Sequence, residues 1–487
     1  MERQLGQWLA TDDIHPDRLD AVFYRPERTE NDRAIRSSRF GVKSLGKLAT
    51  RVFKGAFYVL SDEYKNSGVP FLRTLEIKTG FVTTDDCVFL SPETHEREKR
   101  TAVFPCDLIL AKTGGSIGYS AVVPEGVSEA NICQDLVGVN LTDDTDPYFV
   151  HGFIRSRFGQ VQAIRWGQGN AHPHLGLDGI REWSIPDAPI EVQTAIGNRL
   201  RKAERLTQLA AFSRHSAESL LNQALQFTAR HHSDTHPTWS AIESTHGRLD
   251  AEFYQPKYLD LDSFVSNLPT SVRRVDTLDT LIHDGAYGVL PSSSDYGTGC
   301  LPFLRAQDVG DFTVEFKEPM LVPRDYENPK AIAREGDMLL EVKGAIEGGA
   351  ICPKQADGFL VNGSIYRARV SEDIHPHYLI AVLTSVFGRL QKQRAAANSI
   401  ISYLSSDFLG ALSVPRIDDR VENKVGDLLE QFCSLTYEST AVAAESESDI
   451  EKLLNNSLDV ESLIEEGAMI EKWLEENQVP SELEVNL

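Results

Sequence analysis

The residues that come closest to a catalytic pattern lie in two glycine-rich turns. Gly114–Gly118 fits the G-x-S-x-G sequence of a hydrolase nucleophile. Asp337, Glu341 and Lys343 have the composition of a metal-dependent nuclease site. In such a site two carboxylates hold a divalent ion while a lysine polarises the attacking water. Ester hydrolysis and metal-assisted phosphodiester hydrolysis are therefore the two reactions to test against the rest of the sequence.

An internal repeat argues against both reactions. The second copy has Ile346 where the first copy has Ser116. The first copy has Ala111 and Thr113 at the positions of the nuclease carboxylate and lysine. We therefore predict no catalytic residue, and we interpret the glycines as tight turns between strands. A DNA nuclease built on the second copy alone stays open as an alternative.

The repeat covers most of the 487 residues. Its anchors, in order, are Arg18–Pro26 with Arg248–Pro256, Val69–Arg73 with Leu301–Arg305, Cys106–Leu110 with Gly336–Leu340, Pro147–Tyr148 with His377–Tyr378, Ser156–Gly159 with Ser385–Gly388, and Trp183–Pro186 with Leu412–Pro415. The order is kept and the offset hardly varies. We infer a tandem duplication of a folded unit of ~180 residues, too long for a solenoid repeat.

Each copy predicts a small α/β domain followed by a long helix. Short apolar runs between Gly, Pro and Asp turns are typical of strands, and Pro147–Ala163 has helical spacing. After each copy, apolar residues recur at steps of three, four and seven, which predicts two helices that pair as an antiparallel coiled coil. One amphipathic helix packed on its own domain is the alternative. The predicted pairing residues are Ile196, Leu200, Ala203, Ala210, Leu221, Val425, Leu428, Phe432 and Leu435.

The predicted fold class is thus α/β (α+β), with two tandem domains that each form a twisted mixed sheet with a few helices. The predicted boundaries are a first domain over 1–188, a spacer helix over 189–235, a second domain over 236–418, a second spacer helix over 419–462 and an acidic tail over 463–487.

Composition limits the classes of protein that this chain can belong to. The six cysteines are scattered without a CxxC pair, so we predict no metal site. No apolar run reaches membrane-spanning length and no signal peptide is visible, which predicts a cytoplasmic protein. The formal charge of −23 opposes binding to phosphates, but the last 43 residues hold 13 acids and two lysines. Basic patches elsewhere in the chain are therefore compatible with the total.

Polar side chains cluster in corresponding loops of the two copies. Arg and Lys can pair with guanine edges, and Asn and Gln with adenine edges. The candidate DNA contacts are Arg73, Thr74, Lys78, Lys112, Thr113, Ser116, Asn131, Gln134, Gln168, Asn170 and His172 in copy one, and Arg305, Gln307, Lys343, Asn362, Ser364, Arg394, Asn398 and Ser399 in copy two. The residue types differ between the copies, as two modules that read different half-sites require.

The order of motifs resembles the specificity subunit of type I restriction–modification systems. The resemblance lies in Pro70–Arg73, Asp107–Gly118, Tyr148–Gly159 and Ile185-Pro186, and again in Pro302–Arg305, Gly336–Gly348, Tyr378–Gly388 and Val414-Pro415. It covers roughly residues 15 to 460. Each motif is loose by itself, and the doubled order makes the resemblance specific.

The resemblance implies a non-catalytic subunit that reads a bipartite double-stranded DNA target. DNA adenine methyltransferase subunits, and a nuclease or translocase subunit, would be its partners, and they would bind S-adenosylmethionine and ATP. The subunit itself would need no cofactor. The acidic tail and Cys106, which stands where copy two has Gly336, depart from the family pattern. A related phage-defence complex is therefore also open, as is a scaffold whose duplicated domains do not bind DNA.

Overall fold

A computed structural model describes residues 14–16, 18–59, 61–84, 87–167, 173–229, 251–316, 318–396 and 403–480. The chain divides into two compact units, residues 1–207 with 437–478 (unit 1) and residues 208–436 with 479–487 (unit 2). Each unit contains one copy of the repeat together with half of each of two long helices. The predicted mixed α/β fold is confirmed.

In its described residues, copy one forms two four-stranded sheets, one two-stranded sheet and six short helices, and a long helix follows it. In chain order the elements are α1 (Pro26–Arg36), β1 (Val42–Ser44), α2 (Leu45–Leu48), β2 (Ala49–Lys54), β3 (Val69–Leu72), β4 (Val88–Leu90), α3 (Pro92–Arg97), β5 (Ala102–Val103), β6 (Leu108–Ala111), β7 (Ser120–Val122), β8 (Ala130–Ile132), β9 (Leu136–Leu141), α4 (Pro147–Arg155), α5 (Arg157–Trp166), α6 (Leu177–Arg181), β10 (Ser184–Pro186) and α7 (Ile190–Leu225). The sheets have the orders β2-β9-β6-β7 and β4-β3-β8-β5, and β1 pairs with β10.

Copy two repeats this arrangement. Its elements are α8 (Pro256–Ser266), β11 (Arg274–Thr277), α9 (Leu278–Leu281), β12 (Ile282–Tyr287), β13 (Leu301–Leu304), β14 (Asp311–Phe312), β15 (Met320–Val322), β16 (Met338–Glu341), β17 (Gly349–Ile351), β18 (Leu360–Val361), β19 (Ile365–Val370), α10 (Pro376–Thr384), α11 (Val386–Ala396), α12 (Ser406–Gly410) and β20 (Ser413–Arg416), followed by α13 (Asp419–Leu454) and α14 (Val460–Glu476). The sheets have the orders β12-β19-β16-β17-β14 and β15-β13-β18, and β11 pairs with β20.

The core of each copy lies between its two sheets. In copy one Phe53 and Ile109 of the first sheet pack in one cluster with Leu72 and Ile132 of the second. In copy two Leu339 of the first sheet joins Phe303, Val361 and other residues of the second sheet in the same way. Strand β6 is buried along its whole length, as expected for an uninterrupted apolar run covered on both faces.

The motif Gly/Cys-Asp before β6 and β16 has a structural purpose. A carboxylate oxygen of Asp107 accepts the Phe104 backbone N–H at 2.8 Å, and Asp337 accepts that of Arg334 at 2.9 Å. Both aspartates therefore close the turn that starts the central strand. The positive φ of 71° at Cys106 matches that of 84° at Gly336, so Cys106 keeps the turn despite the side chain.

The repeat aligns differently at one anchor. Helices α4 and α10 both start at a proline, Pro147 and Pro376, after the capping residues Asp146 and His375. Tyr148 therefore corresponds to His377, and the match of Tyr148 with Tyr378 predicted from the sequence is wrong by one residue. Helix starts are fixed by the proline and its preceding cap, whereas a shared tyrosine is not a geometric marker.

The long helices α7 and α13 each contain 36 residues and pack together, which confirms their predicted pairing. In unit 1, Arg199 binds Asp449 at 2.7 Å and the hydroxyl groups of Thr207 and Ser439 lie 2.9 Å apart. The contact nearer the C-terminus of α7 lies nearer the N-terminus of α13, so the helix segments in unit 1 are antiparallel. In unit 2 the Ser213 hydroxyl donates to the Gln431 amide oxygen at 3.1 Å.

The buried stripe on α13 differs from the predicted one. Val425 is fully buried, but the stripe continues through Leu429 and Cys433. Leu428, Phe432 and Leu435 are half-buried at its margin. The stripe shifts because α13 also packs on its own domain, where the Cys433 thiol donates to the Phe312 carbonyl at 3.2 Å. On α7 the predicted residues Ile196, Leu200, Ala203, Ala210 and Leu221 are all buried.

Most of helix α14, which packs on α7, lies in the segment 463–487 that was predicted to be an acidic tail. The Arg199 guanidinium binds Glu466 of α14 as well as Glu445 and Asp449 of α13. The Asn198 amide donates to the Gly467 carbonyl at 3.2 Å. Arg199 of α7 thus neutralises Glu466, one of the acidic residues of this segment. Of the helices in the described part of the chain, none combines the length and apolar character that crossing a bilayer requires.

Candidate nucleic-acid interface

A basic pocket opens at the end of β2 in copy one. It has a volume of about 440 Å³ and is lined by Arg51, Phe53, Lys54, Gly55, Phe57, Arg100, Lys112 and Gln134. Among the residues that the structure describes, this lining holds four cationic side chains and no carboxylate. In a chain with a net charge of −23, this is a strong local excess of positive charge.

Strand β2 and a glycine place these cations together. Arg51 and Lys54 lie on β2, which pairs with β9. At Gly55 a side-chain Cβ would lie 2.1 Å from the carbonyl oxygen of Cys133, so only glycine lets the chain pass this close. The Arg51 guanidinium lies 3.9 Å from the centre of the Phe53 ring and donates to the Arg100 carbonyl at 2.5 Å. These contacts hold Arg51 at the rim of the pocket.

Neighbouring positive charges in the pocket disfavour the charged forms of Lys112 and His174. Burial, together with the nearby charge of Lys54, lowers the pKa of Lys112, which is 8% exposed, although the charge of Asp135 acts in the opposite direction. Burial and the charges of Lys112 and Lys54 also lower the pKa of His174. An anion placed between these groups would relieve the repulsion, which is the electrostatic condition of a phosphate site.

Two exposed aromatic rings continue the surface beyond the pocket. Phe57 and Tyr58 are 65% and 68% exposed, and their ring centres lie 5.0 Å apart in an edge-to-face arrangement. Large aromatic side chains left in water next to cations are typical of surfaces that stack on a partner.

Copy two has different residues at the equivalent positions. Lys54 of β2 and Tyr287 of β12 are equivalent, since they lie opposite Val137 and Tyr366 of the matching strands. Arg51 lies opposite Asn140, and the matching position, opposite Arg369, holds His283. Lys112 and Val342 each directly follow the central strand. Arg100 corresponds to Lys330, since each lies in the middle of a matching 3-10 turn. The same backbone therefore presents other chemistry.

In copy two the charge of Asp284 is neutralised and aromatic rings take the place of the cations. Asp284 binds the buried Arg367 at 2.9 Å. The ring centres of Tyr287 and Tyr366 lie 5.0 Å apart, and those of Tyr287 and Tyr403 lie 5.9 Å apart. Tyr403 is 46% exposed. This edge of copy two is an aromatic and hydrogen-bonding surface.

A second pocket, which lies in copy two, is lined by charged, polar and apolar residues. Its volume is about 520 Å³, and its lining residues are Tyr296, Arg305, Ala306, Gln307, Val309, Glu341 and Asn362. Three of the predicted contacts, Arg305, Gln307 and Asn362, thus come together here. Gln307 is exposed, whereas the Asn362 amide oxygen accepts the Ser364 backbone N–H at 2.8 Å. We call this cavity the polar pocket.

The predicted arginines at the ends of β3 and β13 are held by neighbouring carboxylates. Arg73 binds Glu76 through its backbone N–H and its guanidinium, and Arg305 binds Asp308 in the same way. Each arginine side chain is 29% exposed. Their main interaction closes the turn after the strand, and a base contact would have to use the guanidinium nitrogens that remain exposed.

Two predicted DNA contacts are corrected by the structure. Asn131 has no exposed surface; its amide nitrogen donates to the Glu98 carbonyl, and its amide oxygen accepts from Nδ1 of His95. It corresponds to the core residue Leu360, because each is the parallel partner of the matching phenylalanine of the next strand. Arg394 is 8% exposed and binds the Phe253 carbonyl and Asp262. Neither residue can reach a base in this conformation.

The remaining predicted contacts lie in several loops. Lys78, Gln134 and Gln307 are exposed; Thr74, Thr113, Ser116, Lys343 and Ser364 are half-buried. The Thr113 hydroxyl donates to Asp135 at 2.8 Å. Thr113 and Lys343 are equivalent, since they pair with the equivalent residues His174 and Tyr403. Gln168, Asn170, His172, Asn398 and Ser399 lie outside the described residues.

The surroundings of Asp337 argue against the nuclease alternative. This carboxylate has no exposed surface and binds Arg367 at 3.0 Å and Arg369 at 3.4 Å. A carboxylate neutralised by two arginines is a poor ligand for a catalytic cation. Glu341 accepts the backbone N–H groups of Glu347 and Gly348 instead of facing Asp337 across a metal site.

Sequence reasoning missed Arg51, Lys54 and Arg100, three of the four cations in the basic pocket. A weak signal was present, because Arg51 and Lys54 flank the buried Phe53 on a short strand. Arg100 and Lys112 lie far along the chain, and only the pairing of the sheets brings them to β2.

Comparisons with known proteins gave matches among solved structures alone. No family model matches the chain, and no curated protein matches it. The crystal structure of a type I restriction–modification S subunit from M. genitalium is 14% identical, covers 88% of this chain and 96% of its own, and gives a TM-score of 0.45. The HsdS subunit from Thermoanaerobacter tengcongensis is 17% identical, with 88% and 95% covered and a TM-score of 0.28.

This chain is therefore similar to S subunits of type I restriction–modification systems over most of its length, in agreement with the resemblance of its motifs. A shorter match, to the type IIG restriction endonuclease BpuSI, covers 35% of this chain and 28% of that one at 12% identity, with a TM-score of 0.30. Because these TM-scores lie below 0.5, we base the functional proposal on the residues of this chain.

Proposed function

We propose that this chain is the DNA-recognition subunit of a modification or restriction complex, and that it performs no catalysis itself. One observation carries the proposal. A basic pocket, lined in the described part of the chain by four cations and no carboxylate, lies at the edge of one copy of a duplicated domain, and aromatic side chains occupy the equivalent edge of the second copy. Two copies of one domain that differ in the side chains at the same edge can bind two DNA half-sites of different sequence.

In copy one the basic pocket would bind the DNA backbone. Arg51, Lys54, Arg100 and Lys112 would contact phosphates, which fixes the position of the duplex but carries no sequence information. Gln134 in the same lining could pair with an adenine edge. The phosphate contacts would supply affinity for DNA, and the neighbouring Gln134 amide would discriminate between bases.

In copy two the polar pocket would read bases mainly through side-chain amides. Gln307, Asn362 and Arg305 all line this cavity. An amide bound to an adenine edge or a guanidinium bound to a guanine edge contributes about 1–3 kcal/mol of discrimination. The two copies would therefore prefer different half-sequences.

The paired helices α7 and α13 would set the distance between the two half-sites. Both contain 36 residues, and each unit includes one half of each helix. Exposed parts of the helices and domains would bind DNA adenine methyltransferase subunits in the cytoplasm, and a nuclease or translocase subunit where the complex also restricts DNA.

Selection from random DNA tests this proposal. The full chain, copurified from its host with its bound partners, would be incubated with a pool of random duplexes at moderate salt. We expect enrichment of a bipartite motif with a fixed gap. Absence of any sequence preference would favour the scaffold alternative. Magnesium-dependent cleavage by the purified chain that disappears in Glu341→Ala would favour the nuclease alternative.

A further inference from the structure

Two histidines at the start of α10 face two carboxylates of α13 in unit 2. His375 caps α10, and its Nδ1 accepts the His377 backbone N–H at 3.2 Å. Its Nε2 lies 3.6 Å from an oxygen of Asp427 and 3.8 Å from an oxygen of Glu430. One ligand atom from each of His375, His377 and Glu430 lies within 4.8 Å of the other two.

The same place in unit 1 is a complete ion pair. Asp146 caps α4 and binds Arg201 of α7 at 2.8 Å. The Tyr148 hydroxyl donates to Glu204 at 2.6 Å. Copy two reverses the charges, with imidazoles on the short helix and carboxylates on the long one. Gly197 and Gly426 allow the same close approach, since a Cβ there would meet Asp146 and His375, respectively.

In unit 2 the Nε2 atom of His375 lies near the carboxylates of Asp427 and Glu430 without forming a hydrogen bond to them. The 3.6 and 3.8 Å separations exceed hydrogen-bond length. The Nδ1 of His377 is enclosed and has no hydrogen-bond partner among the described residues. Two ligand atoms on a tetrahedral zinc ion lie about 3.3 Å apart. The 3.8 Å from His375 to Glu430 is close to this value, and the His377 ligand atom, within 4.8 Å of both, would have to move closer by at most about 1.5 Å.

We propose that His375, His377 and Glu430 bind one divalent transition-metal ion of the zinc class. Two imidazole nitrogens and one carboxylate oxygen form a donor set that such ions prefer. Asp427 would supply a further oxygen or accept from a bound water molecule. The ion would fasten the start of α10 to α13, as the Asp146–Arg201 ion pair fastens α4 to α7.

The sequence predicted no metal site, because the ligands come from two segments more than fifty residues apart. Binding also has a cost that limits its strength. When Nε2 of His375 binds an ion, the neutral ring carries its proton on Nδ1 and loses the hydrogen bond from His377. Outer hydrogen bonds of metal ligands contribute about 10- to 100-fold in affinity. We therefore expect micromolar rather than nanomolar binding.

Titration with Co²⁺ tests the site. The full chain would be stripped with a chelator, dialysed and titrated while visible absorption is recorded, and Zn²⁺ would then be added as competitor. We expect one equivalent of Co²⁺ to give the absorption of a four- or five-coordinate ion, and Zn²⁺ to remove it. No saturable absorption would overturn the proposal.

Two variants carry the copy-one residues and should retain the fold. In His377→Tyr, and in the double variant His375→Asp with Glu430→Arg, we expect Co²⁺ affinity to fall by at least about 10-fold. His283→Ala removes an exposed histidine of the same unit outside the cluster and should bind as the parent does. Circular dichroism checks that each variant is folded. Unchanged binding in folded His377→Tyr, or loss in His283→Ala, would contradict the site.

Discussion

Arg165 and Arg394 make the same interactions in the two copies. Each donates its Nε–H to a phenylalanine carbonyl, that of Phe23 or Phe253, at 3.2 Å. Each guanidinium also lies 4.1 Å from the centre of the same phenylalanine ring. The repeated Leu-Asp-Ala-x-Phe-Tyr motif is therefore an anchor that holds the start of each copy against its helix α5 or α11.

Replacing Arg394 by alanine should destabilise unit 2 without changing DNA preference. The substitution removes the cation–π contact and the ion pair with Asp262, at a cost of about 2–4 kcal/mol. Urea denaturation measures the cost, and Arg165→Ala is the matched variant in unit 1. A folded Arg394→Ala protein with normal stability but altered sequence preference would restore this residue as a DNA contact.

Replacing two cations of the basic pocket by their copy-two counterparts should weaken DNA binding. Lys54→Tyr with Lys112→Val removes two positive charges from a pocket that lacks carboxylates. The salt dependence of the affinity should become shallower by about 1 to 2 in log–log slope. Fluorescence anisotropy of labelled DNA at several salt concentrations gives the slope.

The control for that experiment is Lys99→Ala. Lys99 is exposed next to Arg100 but pairs with Glu96 at 3.2 Å, outside the pocket. It should leave affinity and slope nearly unchanged. An equal loss in both variants would mean that net charge, rather than the pocket, governs binding.

The stripe on α13 can be tested with two neighbouring leucines. Leu429 is fully buried and Leu428 is half-buried. Leu429→Ala should lower the free energy of unfolding by about 2–4 kcal/mol, and Leu428→Ala by about 1 kcal/mol. Equal losses, or a larger loss for Leu428→Ala, would support the stripe predicted from the sequence instead.

Glu204 makes the stability of unit 1 depend on pH. Burial raises its pKa from 4.5 to about 7. The folded state thus holds a proton that the unfolded state releases, so this contribution is complete below pH 4.5 and is lost as the pH rises through about 7. Glu204→Gln should remove this loss and stabilise the protein above pH 7 by roughly 1–3 kcal/mol. Urea denaturation across this pH range checks the sign, and a variant that is less stable than the parent above pH 7 would contradict it.

Much of the fold could be predicted from the sequence because duplication leaves two copies to compare. The motifs around Asp107 and Asp337 marked the central strands, and the apolar steps marked the two long helices. The buried stripe on α13 could not be placed, since Leu428 and Leu429 are equally apolar and only packing against Phe312 and its neighbours decides between them.

The candidate site could be predicted only in part. Lys112, Gln134, Gln307 and Asn362 do line the pockets. Asn131 was misplaced because an asparagine in a polar-looking loop sequence gives no sign that His95 and Glu98 will enclose it. The cations of β2 were missed because the pocket forms only when distant strands pair. The net negative charge of the chain also gives no sign of a local basic site.

Mapping of methylated adenines in the host genome tests the central claim most directly. With the gene intact we predict a bipartite methylated motif, and with the gene deleted this motif should lose its methylation. Lys54→Tyr with Lys112→Val should weaken methylation of that motif while the gap between its halves stays constant. A methylation pattern that is the same with and without the gene would contradict the claim that this chain selects the DNA target.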